Sequence, residues 1–126
     1  MFRRHVAVQF ENEMNTLSNS VRLTGFLGAA PDITITENNK KVARISLATN
    51  LQFRNSKNEL VKQTDWHQLV LWEGQAEIAE KYFKKGKEIA VAGRLANRYY
   101  TDKDGVKRFI TEVIVNEVLL LGNRQN

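Results

Sequence analysis

From residue 20 onward, apolar and polar residues alternate in short segments separated by turn residues. The alternating segments are residues 21–26, 33–35, 42–49, 64–72, 89–101 and 107–121. A period of two places successive side chains on opposite faces of a strand, so each segment predicts a strand with one buried face. Residues 53–63 are polar and charged, and they predict a long exposed hairpin or loop.

Residues 73–85 have helical rather than strand spacing. The apolar residues that fall on one face at this spacing are Ile78, Ala79, Tyr82 and Phe83. Glutamates near the start and lysines near the end match the helix dipole. Gly86 is a favourable residue just after the last turn of a helix. We therefore predict one helix that ends near residue 85.

The order of these elements predicts a small closed barrel. Apart from the short 33–35 segment, it is three strands, a helix and two strands, with Gly25, Gly28 and Gly93 where strands must curve tightly. Glu37-Asn38-Asn39 and Asp102-Lys103-Asp104-Gly105 predict turns between strands. A helix between strands 3 and 4 of a five-stranded barrel is the arrangement of the OB-fold. We predict this all-β fold.

The pattern divides the 126-residue chain into one domain with two short ends. The first thirteen residues carry two arginines and two glutamates, so their charges balance, and the patterned region begins only after Met14. We interpret residues 1–16 as a flexible N-terminal arm, residues 17–122 as the barrel domain and residues 123–126 as a short C-terminal end.

Composition excludes several classes of protein. The chain is 42% hydrophobic and 26% charged, which is typical of a globular domain, and no apolar run of about 18 residues predicts a transmembrane helix. It contains no cysteine, which excludes disulfides and cysteine-based metal sites. The net charge of +5 favours an anionic partner.

No set of residues predicts catalysis, a metal site or a cofactor site. The two histidines, His5 and His67, are far apart in sequence, and no further ligands accompany them. Gly86-Lys87 lacks the upstream glycine and the following Ser or Thr of a phosphate-binding loop. His67 falls on the core side of its strand, which favours a packed or interface histidine over a catalytic one. We expect a protein that is not an enzyme.

The strand over residues 64–72 carries the only two tryptophans of the chain. Trp66 and Trp72 fall on one face, six residues and roughly 20 Å apart, whereas Leu69 and Leu71 fall on the other. Two flat rings on an open strand face could stack with unpaired nucleobases. The same spacing also fits two core residues of a β-sandwich, and this strand alone does not decide between the two interpretations.

Basic and aromatic residues are interleaved at other outward positions. They are Arg44 on the second strand, Phe53 and Arg54 in the loop, Lys84, Lys85 and Lys87 at the helix end, and Arg94, Arg98 and Tyr100 on the fourth strand. Stacking contributes about 1–3 kcal/mol per base, while Lys and Arg follow the phosphates. Duplex DNA exposes no base faces, so the pattern favours a single strand. The lysines are equally explained as a solvated helix end.

Residues 17–122 resemble bacterial single-stranded DNA-binding proteins, the homotetrameric OB-fold family. The matching stretches are Ser20-Val21-Arg22-Leu23-Thr24-Gly25-Phe26-Leu27-Gly28 through Pro31, Ile45-Ser46-Leu47-Ala48-Thr49, Gln63-Thr64-Asp65-Trp66-His67, Tyr82-Phe83-Lys84-Lys85-Gly86 and Thr111-Glu112-Val113. Their order and spacing over about a hundred residues are specific to the family.

The resemblance implies roles for individual residues. The positions that match the family's stacking aromatics are Phe53, Trp66, Trp72 and Tyr100. His67 matches a histidine at the subunit interface. For contacts with phosphate we expect the basic residues Arg22, Arg44, Arg54, Lys84, Lys85, Arg94, Arg98 and Arg108. No metal or cofactor is implied.

The resemblance also implies a function. We expect binding and protection of single-stranded DNA, without sequence preference, in replication, recombination and repair, by a homotetramer in the bacterial cytoplasm and nucleoid and not at a membrane. The family's acidic C-terminal tip is absent from the last five residues, so recruitment of replication and repair proteins is left open. The alternatives are an OB-fold primosome or RNA-binding accessory module and, opposed by the missing catalytic residues, a small enzyme.

Overall fold

The computed structural model describes residues 17–122. The arm predicted at residues 1–16 and the end predicted at residues 123–126 lie outside this part of the chain. The elements in chain order are β1 (Val21–Leu27), β2 (Asp32–Ile35), β3 (Lys41–Arg54), β4 (Leu60–Trp72), α1 (Gly74–Tyr82), β5 (Glu88–Thr101) and β6 (Lys107–Leu120).

The five long strands close into a barrel. The sheet order is β1-β5-β6-β4-β3-β2, and an additional pairing between β1 and β3 joins the two sides. Neighbouring strands are antiparallel except β4 and β6, which run parallel over a short contact. The short strand β2 extends the sheet beyond β3. The prediction of a five-stranded barrel with a helix between its third and fourth strands is confirmed.

Alternate residues of each strand fill the barrel, as the period-two pattern predicts. The buried strand residues of this core are Leu27, Ala43, Ile45, Leu47, Leu69, Leu71, Ile89, Val91, Val113 and Val115. Full burial of one such Leu, Ile or Val side chain contributes about 1.5–3 kcal/mol. The helix covers the barrel with Ala76 and Ala79, whose small side chains allow close approach.

The helix is shorter than predicted and ends at Tyr82 rather than near residue 85. Phe83 takes an extended conformation and enters the core, whereas Tyr82 is exposed. Gly86 is therefore not the residue after the helix. It lies at φ 86° in a separate turn in which the amide of Lys87 donates to the carbonyl of Lys84. In the described part of the chain, no helix is long and apolar enough to cross a bilayer.

Three hairpin turns share one design. In each turn, the backbone of the first residue accepts one hydrogen bond and donates another across the turn. The side chain of the same residue accepts a further hydrogen bond from a backbone amide. These first residues are Thr36, Asn55 and Asp102. The fourth residue has a positive φ, and these residues are Asn39, Asn58 and Gly105. Asn and Gly adopt that conformation readily, so local sequence chemistry defines each turn.

For residues 53–63 the sequence predicts an exposed hairpin or loop, and the structure shows the hairpin. Its strands remain paired in one continuous register from Val42 opposite Trp72 to Arg54 opposite Leu60, so only the turn itself is loop. The far half of this hairpin projects from the barrel as a two-stranded ribbon. Because it buries neither face within the chain, its sequence lacks the alternation that marks a strand.

Alternation along β5 predicts that Leu95 points into the core, but it is exposed. Opposite Ala92 and Gly93, β6 contains the unpaired residue Asn116, and the β5–β6 ribbon leaves the barrel beyond this bulge. The backbone of Leu95 is instead held by the side chain of Asn19, which accepts from its amide at 2.9 Å and donates to its carbonyl at 3.1 Å.

Two glycines allow strands to approach closely. A Cβ atom on Gly25 would lie 2.1 Å from the carbonyl oxygen of Ala48, and one on Gly93 would lie 2.1 Å from that of Ile114. Both contacts are with backbone, which cannot move aside without opening the sheet. These positions therefore require glycine.

We expect Gly25→Ala and Gly93→Ala each to lower the free energy of unfolding by about 2–3 kcal/mol, because the added methyl group overpacks the contact. Gly74→Ala is the matched control, since a Cβ atom on Gly74 would meet no other atom within 4 Å. Urea unfolding of the three variants measures the difference. Equal stability of all three variants would contradict the close backbone contacts at Gly25 and Gly93.

Candidate nucleic-acid interface

The strand register brings the alternating positions of four strands to one outer surface. Arg44 of β3 is opposite Val70 of β4, Val70 is opposite Ile114 of β6, and Ile114 is opposite Arg94 of β5. We call this surface the aromatic–arginine face. It carries Arg44, Trp66, Trp72, Arg94, Arg98 and Tyr100. Strands β3, β4 and β5 thus supply predicted site residues to the same side of the barrel.

The tryptophans lie on this face and are open to solvent. Trp66 is 58% exposed and Trp72 is 38% exposed, whereas Leu69 and Leu71, on the other side of the same strand, are fully buried. The interpretation of the tryptophans as sandwich core residues is therefore wrong. Their flat rings are available for contact with a ligand.

Gly28 forms a seat for the indole of Trp66. A Cβ atom at Gly28 would lie 2.7 Å from Cζ3 of the ring and 3.0 Å from Cη2. The ring edge therefore rests directly against the backbone where β1 ends. The amide of Gly28 donates to the carbonyl of Ser46 at 3.0 Å, which fixes this segment against β3. Trp66 is thus exposed but has a defined position.

The predicted lysines reach the same end of β1. Lys84 and Lys85 are exposed in the turn that follows the helix. This turn docks through two backbone bonds, from Gly86 to the carbonyl of Leu27 at 2.8 Å and from Leu27 to the carbonyl of Lys87 at 2.9 Å. Since Leu27 precedes Gly28, the tertiary structure brings the lysine turn beside the seat of Trp66.

Glu112 joins the arginines of this face. Its carboxylate is 5% exposed and accepts two hydrogen bonds from Arg98, at 3.0 and 3.1 Å. Arg44 Nε lies 3.7 Å from the same group. To reach Glu112 from β3, Arg44 crosses β4, which explains why Val70 is buried although it lies on the outer side. The hydrogen bonds that Arg98 donates to Glu112 raise the pKa of the Arg98 guanidinium.

The charges on this face are mostly positive. Along β3 to β6, the basic residues at positions of this parity are Arg44, Arg54, Lys62, Arg94, Arg98 and Arg108. In these strands Glu112, which already pairs with two arginines, has the same parity. Glu88 at the start of β5 shares it, and Glu117 lies on the same side opposite Ala92, beyond the bulge. The face therefore keeps a net positive charge that can attract a polyanion.

Tyr100 continues the face onto the β5–β6 ribbon. The guanidinium carbon of Arg98 lies 5.5 Å from the centre of its ring, which is a cation–π arrangement. Its cross-strand neighbour Arg108 donates to Asp102 at 2.7 Å. That hydrogen bond, together with one from the amide of Val106, lowers the pKa of Asp102. Part of the charge of Arg108 is therefore neutralised within the turn.

The structure does not gather all predicted residues on one face. Phe53 lies on the reverse side of the β3–β4 ribbon from Trp66, because the continuous register gives the two residues opposite parity. Arg54 has the parity of the face, but it lies at the ribbon tip, where it donates to the carbonyl of Asn58. Arg22 of β1 lies opposite Ala92 and lines a groove together with Arg94. His67, half-buried, lies 2.9 Å from the Thr49 hydroxyl.

Sequence reasoning missed two residues that organise the site. Glu112 could have been found from its parity, since it places a carboxylate on the same side as Arg94 and Arg98. The sequence pattern assigns Gly28 only to curvature, because its contact with Trp66 joins residues 38 positions apart in sequence and has no local signal.

Comparisons with known proteins agree with this geometry. The model of the single-strand binding protein family matches residues 18–121. Over 109 residues the chain is 37% identical to "Single-stranded DNA-binding protein 1" of Xylella fastidiosa (strain 9a5c), which covers 86% of this chain and 80% of that protein. It is 35% identical to the protein of the same name from Chlorobaculum tepidum, over 86% of this chain and 67% of that protein.

A solved structure is similar as well. The structure described as "Plasmodium falciparum SSB complex with ssDNA" superposes with a TM-score of 0.75 and 34% sequence identity. The match covers 82% of this chain and 95% of that chain. The barrel described above is thus shared with a protein that was solved together with single-stranded DNA.

We expect Glu112→Gln to lower the free energy of unfolding by about 1–3 kcal/mol, because the amide cannot replace two charge-assisted bonds to Arg98. The loss stays below that of a fully buried ion pair because the arginines keep access to water. Glu117→Gln, an exposed position on the same strand, should change stability by less than about 0.5 kcal/mol. Urea unfolding compares the two variants, and equal losses would contradict this role of Glu112.

Proposed function

This chain belongs to the single-strand binding protein family, and we propose that it binds single-stranded DNA across the aromatic–arginine face. The family consists of binding proteins, so the chain is not an enzyme. The observation that supports the location of the site is the exposure of Trp66 and Trp72 on one basic face. Bases of a single strand stack on these rings and on Tyr100, and no base edge is read.

The basic residues of this face neutralise phosphates between the stacked bases. Arg44 and Arg98 share the charge of Glu112, so this trio contributes one net positive charge rather than two. Arg94 and the turn that holds Lys84 and Lys85 supply further charge. Because log K for single strands falls by about 0.7 per neutralised phosphate as log salt rises, binding weakens in salt.

The wider role follows the family. We propose a homotetramer that covers and protects single-stranded DNA in replication, recombination and repair in the bacterial cytoplasm. His67 serves the contact between subunits, since it lies on the side of β4 away from the tryptophans. Phe53 lies on the opposite side of the β3–β4 ribbon from Trp66. It therefore contacts DNA only where the DNA passes around the ribbon or comes from a neighbouring subunit.

Replacement of Trp66 by Ala should weaken binding to oligo-dT by about 1–3 kcal/mol, the contribution of one stacked base. Tyr82→Ala is the control, because Tyr82 is also an exposed aromatic residue but lies on the helix. Titration by fluorescence anisotropy measures both variants at one salt concentration.

An affinity for oligo-dT that does not depend on salt concentration and is unchanged in Trp66→Ala would contradict this site. Competition with RNA and with duplex DNA then separates the alternatives. Preference for single-stranded DNA supports the proposal, whereas preference for RNA favours the RNA-binding accessory module.

The assembled protein should have a native mass of four times the 14.5 kDa chain. His67→Ala should shift it toward smaller species at low protein concentration, because the variant removes an imidazole from the contact between subunits. Gln68→Ala, on the opposite face of the same strand, should leave the mass unchanged. Native mass spectrometry over a dilution series measures this, and a monomer for the wild type would refute the assembly.

A further inference from the structure

The β5–β6 ribbon has two open faces. Pairing of β1 with β5 reaches only to Gly93, and β4 contacts β6 only at Val113 and Ile114. Beyond these points the two strands of the ribbon pair with each other alone in the described chain. Successive residues of a strand point to opposite sides, so Tyr99 faces away from Tyr100 and from the aromatic–arginine face.

The reverse face carries an exposed aromatic pair that sequence reasoning did not single out. Tyr99 is 64% exposed and Phe109 is 57% exposed, both more open than Trp72. They are direct cross-strand neighbours, with ring centres 5.1 Å apart and planes tilted by 56°. The next cross-strand pair on this face, toward the barrel, is Asn97 and Thr111. The Thr111 hydroxyl donates to the side-chain oxygen of Asn97 at 2.8 Å, which holds the two strands together.

The charge on this reverse face is positive. Lys107 Nζ lies 4.8 Å from the centre of the Tyr99 ring, as Arg98 lies over Tyr100 on the other face. From Leu95 to Thr101 and from Lys107 to Val113, the positions that share the parity of Tyr99 include no carboxylate. A cross-strand aromatic pair alone would strengthen the ribbon by only about 0.2–1 kcal/mol, and it would need neither this exposure nor the lysine.

We propose that Tyr99, Phe109 and Lys107 form a second binding site for single-stranded DNA, on the reverse of the hairpin from Tyr100. The aromatic pair stacks with a base and Lys107 contacts the adjacent phosphate. The strand reaches this site by passing around the unpaired edge of the ribbon after Tyr100. The inference rests on the proposed function, and it assigns to this site the nucleotides beyond those on the aromatic–arginine face.

The test compares two lengths of oligo-dT. One is about 8 nucleotides long, within the range that a single OB-fold covers, and the other is about four times longer. For the double variant Tyr99→Ala with Phe109→Ala, affinity for the long oligomer should fall by about 5- to 100-fold, and by a clearly smaller factor for the short one. Trp66→Ala should weaken both lengths, and Tyr82→Ala neither.

Lys107→Gln keeps both rings and tests the site even if the double variant folds poorly. It should reduce the salt dependence of log K for the long oligomer by about 0.7. Photo-cross-linking of a long oligomer that contains 5-iododeoxyuridine should label Tyr99 or Phe109.

Three results overturn the inference. Unchanged affinity of a folded double variant for the long oligomer excludes the site, as does an unchanged salt dependence for Lys107→Gln. A fall in native mass of the double variant shows that a second copy of the chain covers this face. In each case Trp66→Ala still tests the site on the aromatic–arginine face. A wild-type protein that binds neither oligomer refutes the proposed function itself.

Discussion

The junction of β1 with β3 is the contact on which both the barrel and the aromatic–arginine face depend. Here Leu27 lies opposite Leu47 in the core, and Gly25 lets the backbone pass against the carbonyl of Ala48. Directly after Leu27, Gly28 supports the ring of Trp66. Because the same short segment closes the barrel and supports the indole, a loss of closure would also release Trp66 from its position.

The second organising feature is a carboxylate buried within a basic surface. An isolated buried charge is costly, but Glu112 has two hydrogen bonds from Arg98 and the guanidinium of Arg44 nearby. The arrangement lowers the net charge of the face by one and limits the motion of two long side chains. Because the two arginine side chains are already ordered, they lose less conformational entropy when a ligand binds to them.

The two ribbons that project from the barrel extend its surface beyond the core. Their turns are stable because the side chains of Asn55 and Asp102 satisfy the backbone locally. Neither ribbon fills the interior of this chain, so exposed aromatic residues occur on both faces, among them Phe53 and Tyr99. In the proposed function the ribbons offer surface to DNA and to other subunits, while the barrel holds each ribbon where it leaves the sheet.

Alternation and turn chemistry in the sequence determined most of the strands, the helix and the position of Trp66 and Trp72 on one face opposite Leu69 and Leu71, because these follow from local periodicity. That this face is open to solvent was decided by the fold, since the other face fills the barrel. The tertiary structure decided what depends on contacts between distant segments. The helix ends early because Phe83 turns into the core, and Leu95 is exposed because the bulge at Asn116 carries its ribbon away from the barrel. The pairing of Glu112 with Arg44 across β4, and the contact of Gly28 with Trp66, arise only when a closed barrel brings separate strands together.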